Sequence, residues 1–275
     1  MLKEIYLMRY FADYHTHTDF SGDSQAPMEL MVKRGVELGL SELVFTDHVD
    51  YDYADPVFEK IDFQDYINSF KYCKEKYRKD IKLLMGVEIG YQAHVESRIE
   101  DLLTKVDFDF VIYSTHMADK LDFYTGAFFN GKERELAYNR YFENVLQSIR
   151  APANFNVYGH LDFIVRYGHY DSKSLSYLEH AAIIDKILRD IIYGGCGIEI
   201  NTSGYRYGLG QMHPQEDIIR RYYKMGGEII TVGSDAHHPQ ELCSDFNAAY
   251  TLLREIGYKY INAYEERKAR FIKIP

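Results

Sequence analysis

The sequence predicts a single-domain α/β protein whose parallel sheet closes, or nearly closes, into a barrel. Three observations lead there. Short, β-rich apolar runs alternate along the chain with longer stretches whose apolar residues recur at helical spacing. No Pro-, Ser- or Gly-rich linker and no low-complexity tract divides the 275 residues, so the domain is taken as 1–275, a common length for one barrel. With 46% hydrophobic and 27% charged residues the chain has an ordinary globular composition and can bury a large core. A doubly wound open sheet is the other arrangement compatible with the same alternation.

The expected elements follow in order. Strands are placed near 11–18, 41–47 (around Leu43-Val-Phe45), 82–89 (Leu83-Leu-Met85), 108–116, 156–161, 196–202 and 228–235. Helices are expected near 27–38, 62–79, 94–104, 131–149, 176–193, 215–225 and 245–256. The first helix illustrates the reading. Pro27 suits a first turn, and Met28, Met31, Val32, Gly35 and Leu38 repeat at the spacing of one face. Gly39 stands where a C-terminal cap is expected. Seven such βα units imply a parallel sheet with its helices outside.

Bulk properties narrow the partners. The formal charge of −10 argues against a general binder of phosphate backbones, so no nucleic acid is expected. Cys73, Cys196 and Cys243 are odd in number and widely spaced, which indicates neither a disulfide framework nor a CxxC zinc site and fits a reducing cytoplasm. The opening Met-Leu-Lys-Glu-Ile-Tyr-Leu-Met-Arg-Tyr is broken by charge before a leader core can form, and no apolar run is long enough to span a bilayer. The sequence carries no signal for oligomeric state.

The chemistry lies at the strand ends. Strand one ends in His15-Thr16-His17, strand two in Thr46-Asp47-His48, strand three in Glu88, strand four in His116, strand five in His160 and strand seven in Ser234-Asp235-Ala236-His237. In parallel α/β folds the C-terminal ends of strands build the active site. Side chains two apart share a face of a strand, so His15 pairs with His17 and Asp235 with His237. Each residue alone has an ordinary explanation: a lone strand-end His is a satisfied polar group, Glu88 a salt-bridge partner, and Asp23 in Ser21-Gly-Asp-Ser24 a turn or cap residue. Those explanations fail jointly, because six of the 11 His end predicted strands on one side of one sheet. Imidazoles with carboxylates and no thiolate suit Zn, Mn or Fe. His15, His17, Asp23, His48, Glu88, His116, His160, Asp235 and His237 make nine candidates, more than one metal needs, so two or three divalent ions are expected, with Glu88 able to bridge.

The stretches Asp13-Tyr-His-Thr-His-Thr18, Thr46-Asp-His48, Gly86-Val-Glu-Ile-Gly90, Ser114-Thr-His116, Gly159-His-Leu-Asp162, Glu199-Ile-Asn201 and Gly233-Ser-Asp-Ala-His237 resemble the PHP (polymerase and histidinol phosphatase) family in kind and order. Gly159-His-Leu-Asp-Phe-Ile-Val-Arg166 and Glu199-Ile-Asn-Thr-Ser-Gly204 are most similar to its histidinol-phosphate phosphatases. The resemblance implies a distorted (β/α)7, TIM-like barrel with a trinuclear centre. One metal would take His15, His17, Glu88 and Asp235; a second Glu88, His116 and His160; a third Asp23, His48 and His237. Some relatives have His where this chain has Asp23, which makes the third site harder.

The resemblance further implies hydrolysis of a small phosphate ester, L-histidinol phosphate, to L-histidinol and phosphate in histidine biosynthesis. Activated water would attack phosphorus in line with the leaving alcohol. Glu88, Asp235 and His237 are the residues expected to carry the chemistry, with water held by the metals, Asp235 or His237 protonating the leaving group. Arg166 and Arg206 are expected at the phosphate, because guanidinium offers oxyanions a planar fork, and Asn201 is expected to orient substrate. Long connections near 49–61, 117–130 and 203–214 should wall the pocket. Asp50, Asp52, Asp55, Asp119 and Asp122 there, with Tyr51, Tyr53, Phe123, Tyr124, Phe128 and Phe129, would suit a cationic amine and an imidazole. Three other readings compete: a PHP-type phosphoesterase acting on nucleotides or another small ester, an amidohydrolase, and a metal-holding scaffold. The amidohydrolase reading lacks a strand-end lysine, and the scaffold reading should show degraded ligand positions.

Overall fold

The computed structural model describes residues 10–53, 55–59, 61–151, 155–171 and 175–275. The charged N-terminal stretch 1–9, read above as unlike a leader, lies outside the described residues.

In chain order the elements are β1 (Ala12–Asp13), α1 (Met28–Glu37), β2 (Glu42–Phe45), β3 (His48–Val49), α2 (Phe63–Lys76), β4 (Lys82–Gly90), α3 (Glu96–Lys105), β5 (Phe110–Ser114), a small hairpin of β6 (Met117–Ala118) and β7 (Leu121–Asp122), α4 (Arg134–Arg150), β8 (Val157–Tyr158), α5 (Tyr177–Tyr193), β9 (Gly197–Asn201), α6 (Ser203–Arg206), α7 (Glu216–Lys224), β10 (Ile230–Gly233), α8 (Phe246–Ile256) and a hairpin of β11 (Tyr260–Glu265) and β12 (Lys268–Lys273). The parallel order is β1-β2-β4-β5-β8-β9-β10, with β3 set beside the upper half of β4. Backbone bonds then join the two edges: Tyr14 N–H donates to Val232 O (3.2 Å), His17 N–H to Ala236 O (2.8 Å), and Thr16 bridges Ala236 in parallel. The sheet is therefore a nearly closed seven-stranded barrel, not an open doubly wound sheet.

Side-chain alternation makes two cores from one set of strands. Leu43, Phe45, Leu83, Met85, Val111 and Tyr113 face the helices and join the large outer core. Val44, Leu84, Phe110, Ile112 and Val157 face inward and fill the lower barrel with Tyr14 and Tyr264. Glu88 and Ser114 lie further up the inward faces of β4 and β5, so the apolar plug gives way to polar groups toward the C-terminal ends.

The differences from the expected elements have local causes. The first strand, expected over 11–18, has a ladder of two residues, because Thr16 N–H turns to the Thr46 hydroxyl and the chain then crosses to Ala236. The fifth, expected over 156–161, pairs only at Val157–Tyr158, since Asn156 uses its side chain to cap Val111 N–H and His160 leaves the ladder at φ 23°. The β11–β12 hairpin was not anticipated. Its turn places Glu266 and Arg267 at φ 47° and 66°, a conformation normally signalled by Asn-Gly or Asp-Gly. It closes the lower mouth through Asn262 Oδ1, which accepts Ile230 N–H, and through Arg270, which meets Glu42 at 2.6 Å. Among the described residues no helix is long and apolar enough to cross a membrane.

Candidate metal centre

Eight side chains converge at the upper end of the barrel around a ninth, the carboxylate of Glu88. Glu88 is fully buried in β4, and Ser114 Oγ donates to its Oε1 at 2.6 Å. Imidazole nitrogens approach it from several strands: His160 Nε2 at 2.9 Å, His15 Nε2 at 3.1 Å, His48 Nδ1 at 3.1 Å, His116 Nε2 at 3.3 Å and His17 Nε2 at 3.6 Å. Asp235 Oδ1 lies 3.3 Å from His17 Nε2 and 3.8 Å from His15 Nε2. Asp23, at the rim, reaches His237 Nε2 at 3.2 Å and His48 Nε2 at 3.6 Å. All nine candidate ligands are thus brought together. Asp235 and His160 stand at φ 54° and 23°, left-handed conformations that cost roughly 1–3 kcal/mol each and concentrate at functional sites.

What points the rings inward is a set of acceptors behind them. Glu199 Oε1 lies 2.6 Å from His15 Nδ1, and its Oε2 accepts His160 N–H. Asp50 Oδ1 lies 2.7 Å from His116 Nδ1, and the Asp235 carbonyl 3.0 Å from His237 Nδ1. In each pair the acceptor takes the Nδ1 proton, so Nε2 presents its lone pair. Glycines make room for these acceptors. A Cβ on Gly90 would lie 1.6 Å from Asp50 Oδ1, and one on Gly233 would lie 2.4 Å from Glu199 Oε1 and from His15 Cβ. This gives a packing reason for two glycines of the sequence motifs.

The charges balance only within the cluster. Burial opposes ionisation of Glu88, yet His15, His48 and His116 hold it well below the usual carboxylate range. Asp235 is likewise low against burial, held by His17 at 3.3 Å and by His15, His237 and Arg166. His15 and His48 are raised although burial opposes it, His15 by Glu199 and Glu88, His48 by Asp23 and Glu88. His17 is pushed well down by burial and by His237 and His48. His17 Nε2, His48 Nδ1 and His237 Nε2 are buried facing carboxylate oxygens of Asp235, Glu88 and Asp23, but without hydrogen-bond geometry to them. These atoms fall in groups that could grip an ion: His15, His17 and Asp235; His15, Glu88 and His160; His48, Glu88 and His116; His17, His48 and His237, each with ligand atoms within 4.8 Å of one another. Orphaned imidazole nitrogens facing buried carboxylates fit divalent metals, which accept the lone pairs and supply the positive charge.

A cavity of about 850 Å³ opens above the cluster, with His48, His116, His160, Asp235 and His237 on its floor. Arg166 enters the wall. Its Cζ lies 4.6 Å from the Phe163 ring centre and 3.9 Å from that of Tyr207, while Nη2 donates to Ser203 Oγ (2.7 Å) and lies 3.5 Å from Asp235 Oδ2. Arg206 and Asn201, expected beside the substrate, do not line this cavity. Arg206 donates to the carbonyls of Ser234 and Asp235 and pairs with Glu241. Asn201 donates to Glu199 and accepts from Ser203, fully buried. Of the expected loop residues, Tyr53, Asp55, Asp122, Phe123 and Tyr124 line the cavity; Asp50 also borders it, but is bound to His116. Asp52 faces His94 and Arg98, Asp119 faces Arg140, Tyr51 stacks under Arg98, and Phe128 and Phe129 join the core. Sequence reasoning assigned no site role to Glu199; the available signal was a charged residue alternating with Ile198 and Ile200 on the inward face of a barrel strand.

Comparisons with known proteins agree with this geometry. The PHP domain family matches residues 13–203. The histidinol-phosphatase of Lactococcus lactis is 29% identical over 257 residues, covering 93% of this chain and 95% of that protein. A Clostridium acetobutylicum protein named "Probable histidinol-phosphatase" is 30% identical over 264 residues, covering 94% and 98%. The crystal structure of the Lactococcus lactis histidinol phosphate phosphatase, complexed with zinc, L-histidinol and phosphate, superposes with a TM-score of 0.89 at 28% identity, covering 94% of this chain and 98% of that one.

Proposed function

The chain belongs to the PHP domain family, and we propose that, as one domain, it hydrolyses L-histidinol phosphate to L-histidinol and phosphate in the cytoplasm, as a step of histidine biosynthesis. The observation that carries this reading is the convergence of unpartnered imidazole nitrogens and buried carboxylates on the floor of the cavity, with Arg166 in its wall. Similarity to a phosphatase whose structure holds zinc, L-histidinol and phosphate supplies the substrate.

Two to three divalent ions, Zn, Mn or Fe, are assigned to His15, His17, Glu88 and Asp235, to Glu88, His116 and His160, and to Asp23, His48 and His237. When bound, such ions lower the pKa of the attacking water and offset charge on the phosphoryl oxygens. The protein's own groups do the rest. Arg166 lies over the rings of Phe163 and Tyr207 with Nη2 on Ser203 Oγ, which fixes its guanidinium in the cavity wall where the phosphate would arrive. Ser203 Oγ lies 3.0 Å from Asp235 Oδ2 and 2.6 Å from Asn201 Oδ1, while Asp235 Oδ1 faces His17 and His15. The leaving alkoxide would take its proton from water held at the centre, which Asp235 and His237 position; their Oδ1 and Nε2 are assigned to the ions and carry no proton themselves. Asp55 and Asp122, with Tyr53 and Tyr124, border the cavity above the metals, where negative charge and aromatic faces suit the amine and imidazole of histidinol.

The test is phosphate release from histidinol phosphate, with nucleoside monophosphates alongside, comparing metal-stripped protein, protein reloaded with Mn or Zn, and His17→Ala. Metal-dependent turnover of histidinol phosphate that the substitution abolishes is expected. Turnover of nucleotides alone would move the substrate to another small ester, and no turnover with any metal would overturn the reading.

A further inference from the structure

His17 is stacked on two other imidazoles, on His48 at 4.3 Å and on His237 at 4.1 Å. No carboxylate stands behind its Nδ1. The atom there is the Ser21 hydroxyl, at 3.1 Å. Ser21 is buried, and its Oγ has two more partners: Asp47 Oδ1 at 2.7 Å and the His48 backbone N–H at 3.0 Å.

These contacts fix where the protons lie. A hydroxyl has one proton to give and two lone pairs to receive with. Asp47 Oδ1 already accepts the Thr18 N–H at 2.6 Å, so it is an acceptor toward Ser21 as well, and the hydroxyl proton goes there. The His48 amide can only donate, and it takes one lone pair. The remaining lone pair faces His17 Nδ1, which must therefore carry the proton. Its Nε2 is left bare, 3.3 Å from Asp235 Oδ1 and 3.6 Å from Glu88 Oε2.

We infer that Ser21 is a positioning residue whose hydroxyl, backed by Asp47, locks His17 as the Nδ1–H tautomer and so turns the Nε2 lone pair into the metal centre. One side chain thereby orders ligands from two strands, His17 after β1 and His48 at β3. It sits in the same Ser21-Gly-Asp-Ser turn that presents Asp23. The inference rests on the metal-centre reading above.

The test uses zinc-loaded protein with 15N-labelled histidine, whose long-range 1H–15N spectrum distinguishes the two tautomers. Alongside it, zinc affinity is measured by chelator competition for wild type, Ser21→Ala and Ser21→Thr, with circular dichroism of the zinc-free forms to confirm the fold. His17 is expected as Nδ1–H in wild type. Ser21→Ala is expected to bind zinc about 10–100-fold more weakly, the range for losing a group that orients a ligand, and Ser21→Thr, which keeps the hydroxyl, to recover most of it. A purely structural Ser21 would lower the melting temperature of the alanine variant without moving its zinc affinity, and that result overturns the inference. So does a wild-type spectrum with zinc on His17 Nδ1, which needs no variant to fold. Wild-type protein that holds no zinc would remove the metal reading together with this one.

Discussion

Replacing Glu199 by Gln tests the tautomer argument at its most constrained point. Glu199 receives three donors in a fully buried setting: His15 Nδ1 at 2.6 Å on Oε1, and His160 N–H at 3.0 Å and Asn201 Nδ2 at 3.1 Å on Oε2. A glutamine side chain offers one oxygen and one NH2. If the oxygen faces His15, the NH2 meets two donors, each clash costing about 1–3 kcal/mol. Asn201 cannot turn to relieve its own, because its Oδ1 holds Ser203 N–H and Oγ. If the NH2 faces His15 instead, both donors are satisfied and His15 gives up its Nδ1 proton while keeping one on Nε2, where Glu88 Oε2 waits at 3.1 Å. The second arrangement wins in metal-free protein, and it removes the His15 lone pair from the centre. Metal must then either do without His15 or force the costlier arrangement. Affinity should fall at least tenfold, about 1.4–3 kcal/mol, while the metal-free stability changes by about 1 kcal/mol or less. Chelator competition with Zn or Mn gives the first quantity and denaturant unfolding of the stripped protein the second. Wild-type metal affinity in Glu199→Gln would refute the reasoning.

Three further outcomes are expected. Arg166→Lys keeps the charge but loses the planar fork and its stacking between Phe163 and Tyr207; kcat/KM for histidinol phosphate should drop roughly 10–100-fold with metal content unchanged, and a drop that tracks metal loss would contradict a phosphate role. Gly90→Ala puts a Cβ 1.6 Å from Asp50 Oδ1 and must expel that carboxylate from His116; a fall in bound metal per chain checks it, and full metal content would show that the cradle yields more easily than its geometry implies. Glu42, at the lower end of the barrel, is held low against burial by hydrogen bonds from Tyr10, Tyr14 and Arg270. A depressed folded value means its contribution is present above about pH 4.3, the unfolded value, and is lost as pH falls through the folded one. Glu42→Gln should therefore cost roughly 1–3 kcal/mol at pH 7 and progressively less near pH 3, as measured by urea unfolding at both; an equal cost at the two pH values would exclude the charge as its origin.

The strand ends were legible because two rules act together there: alternation tells which residues share a face, and parallel strands put all such ends on one side. That is why candidate ligands from six separate strands could be named from sequence, and the structure brings their side chains together with Glu88 among them. The layer behind them was less legible. Asp50 reads as one acid among several in a loop; only β3, two residues long and pinned to β4, turns it onto His116. Arg206 and Asn201 carry suitable chemistry at suitable positions, but α6 begins directly after β9 and draws both into bonds with the Asp235 loop and Glu199. The C-terminal hairpin was hidden because its turn uses Glu266-Arg267, where no residue type announces positive φ.

The centre does not close as a hydrogen-bond network of protein groups alone. Glu88 faces five imidazole nitrogens and a hydroxyl, more groups than the roughly four lone pairs of a carboxylate can satisfy. Among these rings and beside them, buried His17, His48 and His237 nitrogens make no hydrogen bond, and groups of that kind cost about 1–3 kcal/mol each. Protonating more rings would pair some nitrogens with carboxylates, but His17 resists, since His237 and His48 crowd it and burial penalises the charge. Divalent metals held by these residues would relieve both faults, drawing on the ring lone pairs and supplying positive charge to Glu88. The upper barrel is thus a region whose local stability depends on the ions it binds. The C-terminal hairpin and the apolar plug of Tyr14, Phe110 and Tyr264 hold the other end without them. Metal removal should accordingly loosen amide protection at the strand ends carrying His15, His116 and His237 before it affects β4 at Leu84 or β5 at Phe110, a gradient that hydrogen exchange on stripped and loaded protein would read directly.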